Sequence, residues 1–347
     1  MFTDDTFTLI PQRVKEICAG LKKLKETYKF TWYCEGHIHM LYKNPEMIDY
    51  MADAGILRIQ LGIESGNQDV LNAYNKGCTV EEIEAVVKHC VDVGIEQILG
   101  NIILGSALAD GNTYEKDLAF GERLIRLGQG ALELGVVSYW PLAETAITDN
   151  PERYKLKIID DQFVTASEDF PQVETDSLNR FDIVEMIQKM RSHFLKCMQD
   201  MISNDEIPLK RILKWFWQIE NFKIASAWAK VLYSMPHQFA YYQMLQSGEV
   251  YRSVDLDRKA YFRAHPMRVV ELNENIVVKN GKKFDLKECE LNELDQKVLI
   301  YSVGKLSVTD VADRLKEDWP HLSITLENVI ATLQKLERKH IIVYSMY

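Results

Sequence analysis

The sequence predicts an α/β fold over its first 150 residues, followed by a helical region and a small C-terminal domain. Short β-rich runs alternate there with amphipathic helical segments, and a faint repeat recurs between residues 53–56 and 92–95. From about residue 165 the pattern becomes almost wholly helical. Because strands that alternate with helices favour a parallel sheet, we expect helices outside such a sheet, in either an open doubly wound sheet or a barrel.

Each predicted strand of the α/β part is a short run of apolar and aromatic residues: 30–34, 57–62, 97–104 and 131–139. Helical periodicity predicts helices near 11–27, 45–54, 66–74, 79–93 and 113–127. Asn44 and Thr79 are predicted to cap two of these helices, and acidic residues follow in the first turn. In both copies of the repeat a glycine ends a helix just before an apolar strand, which is typical of βα units.

Beyond the α/β part, residues 177–245 are predicted to be helical and carry clustered aromatic residues. Five of these aromatic residues are expected to lie in the hydrophobic core, and the alternative is that they form a wall facing the substrate. They are Trp215, Trp217, Phe222, Trp228 and Tyr233. Extended runs at 268–272 and 275–278, with a turn signal at 280–281, precede helices near 291–302, 307–317 and 324–339 and a last strand at 341–344. Three helices and a terminal strand resemble a winged-helix module, which gives domains at 1–165, 166–265 and 266–347.

Composition excludes several classes of protein. The chain has 347 residues and a net charge of −10, and its 47 % apolar and 27 % charged fractions are ordinary for a globular protein. No apolar run approaches the roughly 20 residues that span a bilayer, and the acidic start is unlike a signal peptide, so we expect a cytoplasmic chain that binds no membrane. Residues 266–347 carry 12 Lys+Arg and 13 Asp+Glu, a balance that argues against nucleic-acid binding.

The six cysteines, at positions 18, 34, 78, 90, 197 and 289, lie too far apart for a local zinc or iron–sulfur loop. We therefore expect reduced, mostly buried thiols. His37 and His39 share one face of a predicted strand, but no third ligand accompanies them, so we expect no metal site there.

The most specific motif is residues 61–77, which leave a strand, turn at Gly66 and enter a helix. In parallel βα folds the functional face lies at the carboxyl ends of the strands. Glu64 and Ser65 occupy that edge and are therefore candidate site residues. The alternative is a solvated loop in which Gly66 merely turns the chain.

This motif, Gly-Ile-Glu-Ser-Gly-Asn-Gln followed by Val-Leu and Lys-Gly, resembles the fourth-strand region of radical S-adenosylmethionine (SAM) enzymes. Four more segments resemble parts of that family and occur in the family's order. Residues 2–8 resemble the end of the second strand in the cobalamin-associated branch. Residues 32–37 resemble the third strand, 100–105 the fifth, and 138–145 with 151–154 the sixth. The resemblance covers about residues 1–165 and implies a partial, here incomplete, (β/α) barrel. In that family a [4Fe-4S] cluster cleaves SAM to a 5′-deoxyadenosyl radical, and cobalamin is a further cofactor of the similar branch.

The resemblance also implies roles for individual residues. Glu64 and Ser65 correspond to contacts with the ribose hydroxyls, since a carboxylate is a good acceptor for a diol. Lys76 corresponds to a basic residue that meets the methionine carboxylate. Without the resemblance, Lys76 is equally well interpreted as a surface lysine.

Further contacts are implied at the other strand ends. Asp4 and Asp5 correspond to the strand end that faces the methionine ammonium, although an acidic terminus is the plainer interpretation. Glu35 ends the third strand of the family and reaches into the barrel, and Asn101 lies in the fifth, beside the ribose and adenine. Trp32 and Trp140 are expected to be core residues.

Two features depart from the family. Its C-x₃-C-x₂-C cluster loop and cobalamin domain are absent, because the sequence begins about where the second strand ends. The usual Pro-Gly-Glu-Thr after the fifth strand is replaced by Ser-Ala-Leu-Ala-Asp at 106–110.

We expect this chain to be the C-terminal portion of a longer or split enzyme and to be inactive alone. Its partner would be a missing N-terminal half or upstream subunit, and its substrate a peptide or small metabolite. A degenerate barrel that serves as a scaffold is the alternative.

Overall fold

The computed structural model describes residues 1–159, 171–220, 226–247, 250–251, 261–264, 270–271, 276–279, 282–285, 291–338 and 341–345. The chain forms two compact units, Met1–Val231 and Leu232–Tyr347. Across the described residues, no helix combines the length and the apolar character needed to cross a bilayer.

The first unit is built on four parallel strands that lie side by side in chain order: β1 (Trp32–Gly36), β2 (Ile56–Glu64), β3 (Gln97–Leu104) and β4 (Leu132–Ser138). The helices of this part are α1 (Pro11–Lys25), α2 (Ile38–Lys43), α3 (Glu46–Asp53), α4 (Gln68–Ala73), α5 (Val80–Asp92) and α6 (Gly111–Leu127). The predicted parallel sheet with helices is confirmed. Among the described residues β1 and β4 do not pair, so these four strands form an open sheet.

Each strand has one apolar and one more polar face, because successive side chains point to opposite sides. In β2, Ile59, Leu61 and Ile63 are buried, whereas Gln60 and Glu64 on the other face are partly exposed. The apolar face packs against buried side chains of the helices: Val14 and Cys18 of α1, Met47 and Met51 of α3, and Ile83, Val87 and Cys90 of α5. Helices therefore cover one face and leave the polar face for a site.

Two local predictions near the N-terminus are wrong. Residues 2–8 do not end a strand; a 3-10 helix occupies Phe7–Leu9, and the Phe2 N–H donates a single ladder-like hydrogen bond to the Tyr33 carbonyl. One such bond does not form a ladder. His37 and His39 do not share a strand face, because β1 ends at Gly36 and His39 belongs to α2.

The helical region continues the first unit. After the short helix α7 (Ala146–Asp149), a 3-10 helix at Pro151–Tyr154 and the hairpin β5 (Leu156–Ile158) with β6 (Val173–Thr175) precede α8 (Arg180–Ser203), α9 (Leu209–Glu220) and α10 (Ala227–Tyr233). The hairpin was not predicted. Trp215 and Trp228 are buried and stacked with ring centroids 5.8 Å apart, and the Trp228 Nε1–H donates to the Leu132 carbonyl at 2.7 Å.

Of the other predictions for aromatic residues, one is confirmed and two are wrong. Trp32 is buried as expected. Trp140 and Tyr233 are 39 % and 68 % exposed, so the expectation that they are core residues is wrong. The Trp217 side chain and Phe222 lie outside the described residues.

The second unit begins with α11 (Pro236–Ser247) and continues through β7 (Val250–Tyr251), β8 (Tyr261–Ala264), β9 (Val270–Glu271), β10 (Ile276–Lys279), β11 (Lys282–Asp285), α12 (Glu293–Ile300), β12 (Val303–Ser307), α13 (Val308–Asp318), α14 (Leu326–Arg338) and β13 (Ile342–Ser345). Its antiparallel sheets have the orders β12-β8-β13-β7 and β11-β10-β9.

The three predicted helices and last strand of the second unit are confirmed, but β7, β8, β11 and β12 were not predicted. Residues 280–281, the predicted turn, lie outside the described residues, although Lys279 and Lys282 on either side are an antiparallel pair. The winged-helix resemblance and the boundaries after 165 and 265 remain predictions.

Candidate cofactor-binding site

A cavity of about 200 Å³ lies where β1 and β2 end and beside the middle of β3. Polar side chains dominate its lining: Asp5, Thr6, Glu35, His37, Gln60, Glu64, Lys76 and Asn101, with Gly36, Ile38, Leu61, Gly62 and Cys78. The lining residues come from three neighbouring strands and from the segments beside them. The cavity thus lies at the sheet edge where parallel βα folds carry their sites.

The polar lining follows from strand alternation. Gln60, Gly62 and Glu64 occupy one face of β2, opposite the buried Ile59, Leu61 and Ile63. Glu35 of β1 pairs in register with Gln60, and Asn101 lies on the corresponding face of β3. A sheet face of this polarity faces a ligand-filled space more readily than a packed core.

An ion pair joins Glu64 and Lys76 within the cavity. The Lys76 Nζ lies 2.6 Å from the Glu64 Oε1, and both side chains are less than one-third exposed. Gly62 makes room for this pair, because a Cβ at that position would lie 2.5 Å from the Lys76 Nζ. The pair therefore depends on a bare backbone beneath it.

The Asn101 side chain also lies against a glycine. It pairs in register with Gly135 of β4, and a Cβ on that glycine would lie 2.3 Å from the Asn101 Oδ1. The amide oxygen thus lies against bare backbone at the side of the cavity. Together, Gly62 and Gly135 keep space beside three polar groups that can hydrogen-bond a ligand.

Acidic groups give the cavity its charge. Asp5 and Glu35 line it, and neither belongs to an ion pair among the residues that the structure describes. Asp4 lies outside the lining and is paired with the Arg13 guanidinium at 2.6 Å. With Glu64 already paired to Lys76, the carboxylates of Asp5 and Glu35 suit a cationic group such as an ammonium.

Ser65 faces away from the cavity. Its side chain is buried, and its hydroxyl donates to the Asp117 Oδ1 at 2.7 Å. Ser65 follows the end of β2 at Glu64, and its hydroxyl is directed at α6 instead of at the cavity. The structure therefore brings Asp5, Glu35, Glu64, Lys76 and Asn101 to one cavity and leaves Asp4 and Ser65 out of it.

Sequence reasoning did not assign four polar residues of this region, namely Thr6, His37 and Gln60 of the lining and Asp117 of α6. His37 lines the cavity; burial, then the Lys76 charge, then His39 lower the pKa of its imidazole, which favours the neutral form. Asp117 of α6 holds the loop after β2, and burial raises its pKa to about 6. The sequence could have predicted that Asp117 is buried, because its spacing places it on the same helix face as Thr113, Phe120 and Leu124, which are buried.

Residues 1–113 match the family model described as "Radical SAM superfamily". This match covers about one third of the chain. The chain is also similar to the curated 4'-phospho-dehydrooxetanocin synthase of Priestia megaterium, with 28 % identity over 146 residues, or 40 % of this chain. This similarity spans 20 % of the length of the synthase.

Solved structures of radical SAM enzymes are similar to larger parts of the chain. The cobalamin-dependent enzyme OxsB with aqua-cobalamin and SAM bound is 17 % identical, with a TM-score of 0.37 over 96 % of this chain and 51 % of OxsB. The methyltransferase TsrM of Kitasatospora setae, with cobalamin and a [4Fe-4S] cluster bound, is 15 % identical, with a TM-score of 0.36 over 56 % of this chain and 42 % of TsrM. HemN of Escherichia coli is 17 % identical, with a TM-score of 0.35 over 54 % of this chain and 38 % of HemN.

The radical SAM family implies SAM and a [4Fe-4S] cluster, and the two fit this structure differently. The cavity offers groups that match SAM, namely a lysine for its carboxylate, free carboxylates for its ammonium, and Glu64 with Asn101 for its ribose. The donor set for a cluster does not fit. Every cysteine in the described part is buried, and no group of potential metal ligands occurs there.

The cysteine electrostatics agree with this misfit. Burial raises the pKa of the Cys18 thiol to about 11 and that of Cys90 to about 12, and it raises the pKa of Cys34 further. A cluster requires thiolates that converge on one site. Buried, protonated thiols in a packed core are structural residues, and Cys289 lies outside the described residues.

Proposed function

We propose that the radical SAM region of this chain binds SAM in the cavity and forms part of an enzyme that uses a 5′-deoxyadenosyl radical to modify a peptide or a small metabolite. The observation that carries this proposal is that polar residues from β1, β2 and β3 and the segments beside them line one cavity in the part that matches the family. The named relative, a synthase with a phosphorylated product, supports a small metabolite as one class of substrate.

Each end of SAM has a chemically matched group in the cavity. The Lys76 ammonium suits the carboxylate, because a charge-assisted hydrogen bond is about twice as strong as a neutral one. Asp5 and Glu35 suit the ammonium, and a carboxylate at Glu64 can accept both hydroxyls of a cis-diol. When bound, SAM would supply the radical chemistry, and these residues would orient it.

Binding has to divide the Glu64–Lys76 pair, since each member then meets a different part of the ligand. The new contacts of Glu64 and Lys76 with the ligand replace an ion pair at 2.6 Å, so their net contribution to the binding free energy is small. Without a cluster iron to chelate the amino acid end of SAM, several kcal/mol of binding free energy are missing. At about 1.4 kcal/mol for each tenfold change, an affinity in the micromolar range falls to the millimolar range.

Equilibrium dialysis with labelled SAM tests this assignment. We expect millimolar affinity for the full chain and no detectable binding for Glu64→Ala. The matched control is Glu84→Ala, which removes an exposed glutamate paired with Arg123 outside the cavity and should leave binding unchanged. Low-micromolar affinity that survives Glu64→Ala would show that the ligand binds elsewhere.

The buried cysteines favour a second candidate function, a non-catalytic barrel that serves as a binding or scaffold partner. Cluster ligands from another segment or subunit would instead make the chain part of a split enzyme. Anaerobic reconstitution with iron and sulfide distinguishes the scaffold and the split enzyme from an enzyme that binds its own cluster. The latter should contain close to four irons per chain. An upstream in-frame cysteine triad in the coding sequence would support the split or longer enzyme over the scaffold.

A further inference from the structure

We propose that Asp117 is a positioning residue for the Glu64–Lys76 pair of the cavity. This inference rests on the proposed function for the identity of the ligand, but its geometry is independent of it. Asp117 lies in the middle of α6, is 3 % exposed and does not line the cavity. Its Oδ1 accepts two hydrogen bonds, from the Ser65 hydroxyl at 2.7 Å and from the Gly66 N–H at 2.6 Å.

The first member of the pair is held through its neighbours in sequence. Glu64 ends β2 with a φ of 64°, in the left-handed region, and the pairing of β2 with β3 is irregular just before it. This backbone conformation costs a non-glycine residue about 1–2 kcal/mol, so it persists only where surrounding contacts impose it. Asp117 supplies those contacts by fixing both residues that follow Glu64.

Packing supports the same attachment. A Cβ at Gly66 would lie 2.3 Å from the Phe120 Cβ, so the loop backbone lies directly against α6. Phe120 is on the turn of α6 that follows Asp117. The loop therefore cannot move away from α6 without losing both the hydrogen bonds and this contact.

The second member is held through α4. The Ser65 Oγ also accepts from the Asn67 N–H at 3.0 Å, and the Asn67 Oδ1 caps α4 by accepting from the Asp69 N–H at 3.0 Å. Beyond that helix, the Lys76 N–H donates to the Leu71 carbonyl at 3.1 Å. A continuous set of hydrogen bonds thus connects Asp117 with the segments that carry Glu64 and Lys76.

The charge state of Asp117 suits an acceptor. Burial raises the pKa of Asp117 to about 6, whereas the hydrogen bonds from Ser65 and Gly66 and the Lys116 charge favour its ionised form. No ion pair involves Asp117 in the described part of the chain. A buried carboxylate without a cation is costly unless hydrogen bonds satisfy it. Hydrogen bonds to a carboxylate are also shorter and stronger than neutral ones, which makes them suitable for fixing a strained loop.

Competitive acetylation of lysines in the full chain, followed by mass spectrometry, tests this role without any ligand. We expect Asp117→Ala to raise the acetylation rate of Lys76 about three- to tenfold, as the loss of one or two hydrogen bonds changes an equilibrium by that much. Asp117→Asn retains the acceptor oxygen and should keep the rate within about twofold of the unmodified chain. Lys88, paired with Asp92 on the surface, is the internal reference and should not change.

Asp295→Asn is the matched control variant, because Asp295 is a buried carboxylate of the second unit that also accepts a backbone N–H. It should leave Lys76 unaffected. An unchanged Lys76 rate in a folded Asp117→Ala chain would overturn the positioning role, as would an equal rise at Lys76 and Lys88.

If Asp117→Ala does not fold, Ser65→Ala removes one bond of the same set and should raise the Lys76 rate by a smaller factor; no rise there would also overturn the role. Failure of the chain to bind SAM would instead count against the proposed function and would leave the acetylation result intact.

Discussion

The Lys76 Nζ lies 2.6 Å from the Glu64 Oε1, directly over the bare backbone of Gly62. The two residues are twelve positions apart and are separated by α4, yet they meet because the segment after the helix returns to the end of β2. In the proposed complex they bind different parts of SAM. Their contact in the free chain therefore keeps two partly buried charges paired until a ligand replaces them.

Gly62→Ala should disrupt this pair. The new Cβ would lie 2.5 Å from the Lys76 Nζ and 3.0 Å from the Glu64 Oε1, so the lysine has to move. We expect the residual SAM affinity to fall at least about fivefold, because a displaced Lys76 loses its charge-assisted contact with the SAM carboxylate, which is worth more than about 1 kcal/mol. Equilibrium dialysis measures the change.

Gly20→Ala is the control for Gly62→Ala. Gly20 lies inside α1 and has no heavy atom within 4 Å of a Cβ built on it. That substitution should leave SAM binding unchanged and raise the free energy of unfolding by about 0.5–1 kcal/mol, because alanine favours helix. Unaltered binding in Gly62→Ala would contradict the importance of the bare backbone.

Asp117 should make stability depend on pH in a defined direction. Burial raises its folded pKa to about 6, above its unfolded value, so the folded state binds more protons between about pH 4 and pH 6. Its contribution is therefore fully present below the unfolded pKa and is lost as the pH rises through the folded pKa. Between pH 4 and 7 we expect the free energy of unfolding of the unmodified chain to fall by about 1–3 kcal/mol relative to Asp117→Asn.

Urea unfolding of both proteins at several pH values measures that difference. Other titrating groups contribute equally to both chains and cancel in the comparison. Asp92→Asn, at an exposed helix position, is the control variant and should change the free energy of unfolding by less than about 0.5 kcal/mol. A constant difference for Asp117→Asn would mean that its carboxyl titrates normally.

Trp228→Phe should destabilise the first unit. The Trp228 Nε1–H donates to the Leu132 carbonyl at 2.7 Å in a fully buried site, and its ring stacks on Trp215. Removal of the donor leaves the carbonyl unsatisfied and a small void, which costs about 1–3 kcal/mol. Chemical denaturation measures the loss, and Trp140→Phe, at a 39 % exposed position, should change stability by less than about 0.5 kcal/mol.

Sequence patterns alone predicted the parallel strands and helices of the first unit, but they left an open sheet and a barrel as alternatives. Strand and helix periodicities are local properties, so β3 was predicted over its whole length and the parallel order followed from the alternation of strands with helices. The same reasoning predicted the sheet edge that carries the cavity. Glu64 was found in this way, because the carboxyl ends of neighbouring parallel strands meet, whereas Asn101 was assigned from the resemblance to radical SAM enzymes.

Only the tertiary structure decided which partners these residues take. Ser65 and Asp117 are 52 positions apart, and their hydrogen bond exists because α6 packs against the loop after β2. Asp4 pairs with Arg13 instead of facing the cavity, and Tyr233 remains exposed despite its aromatic ring. Hydrogen bonds and ion pairs act over a few ångströms, so they depend on the three-dimensional approach of segments that sequence periodicity does not specify.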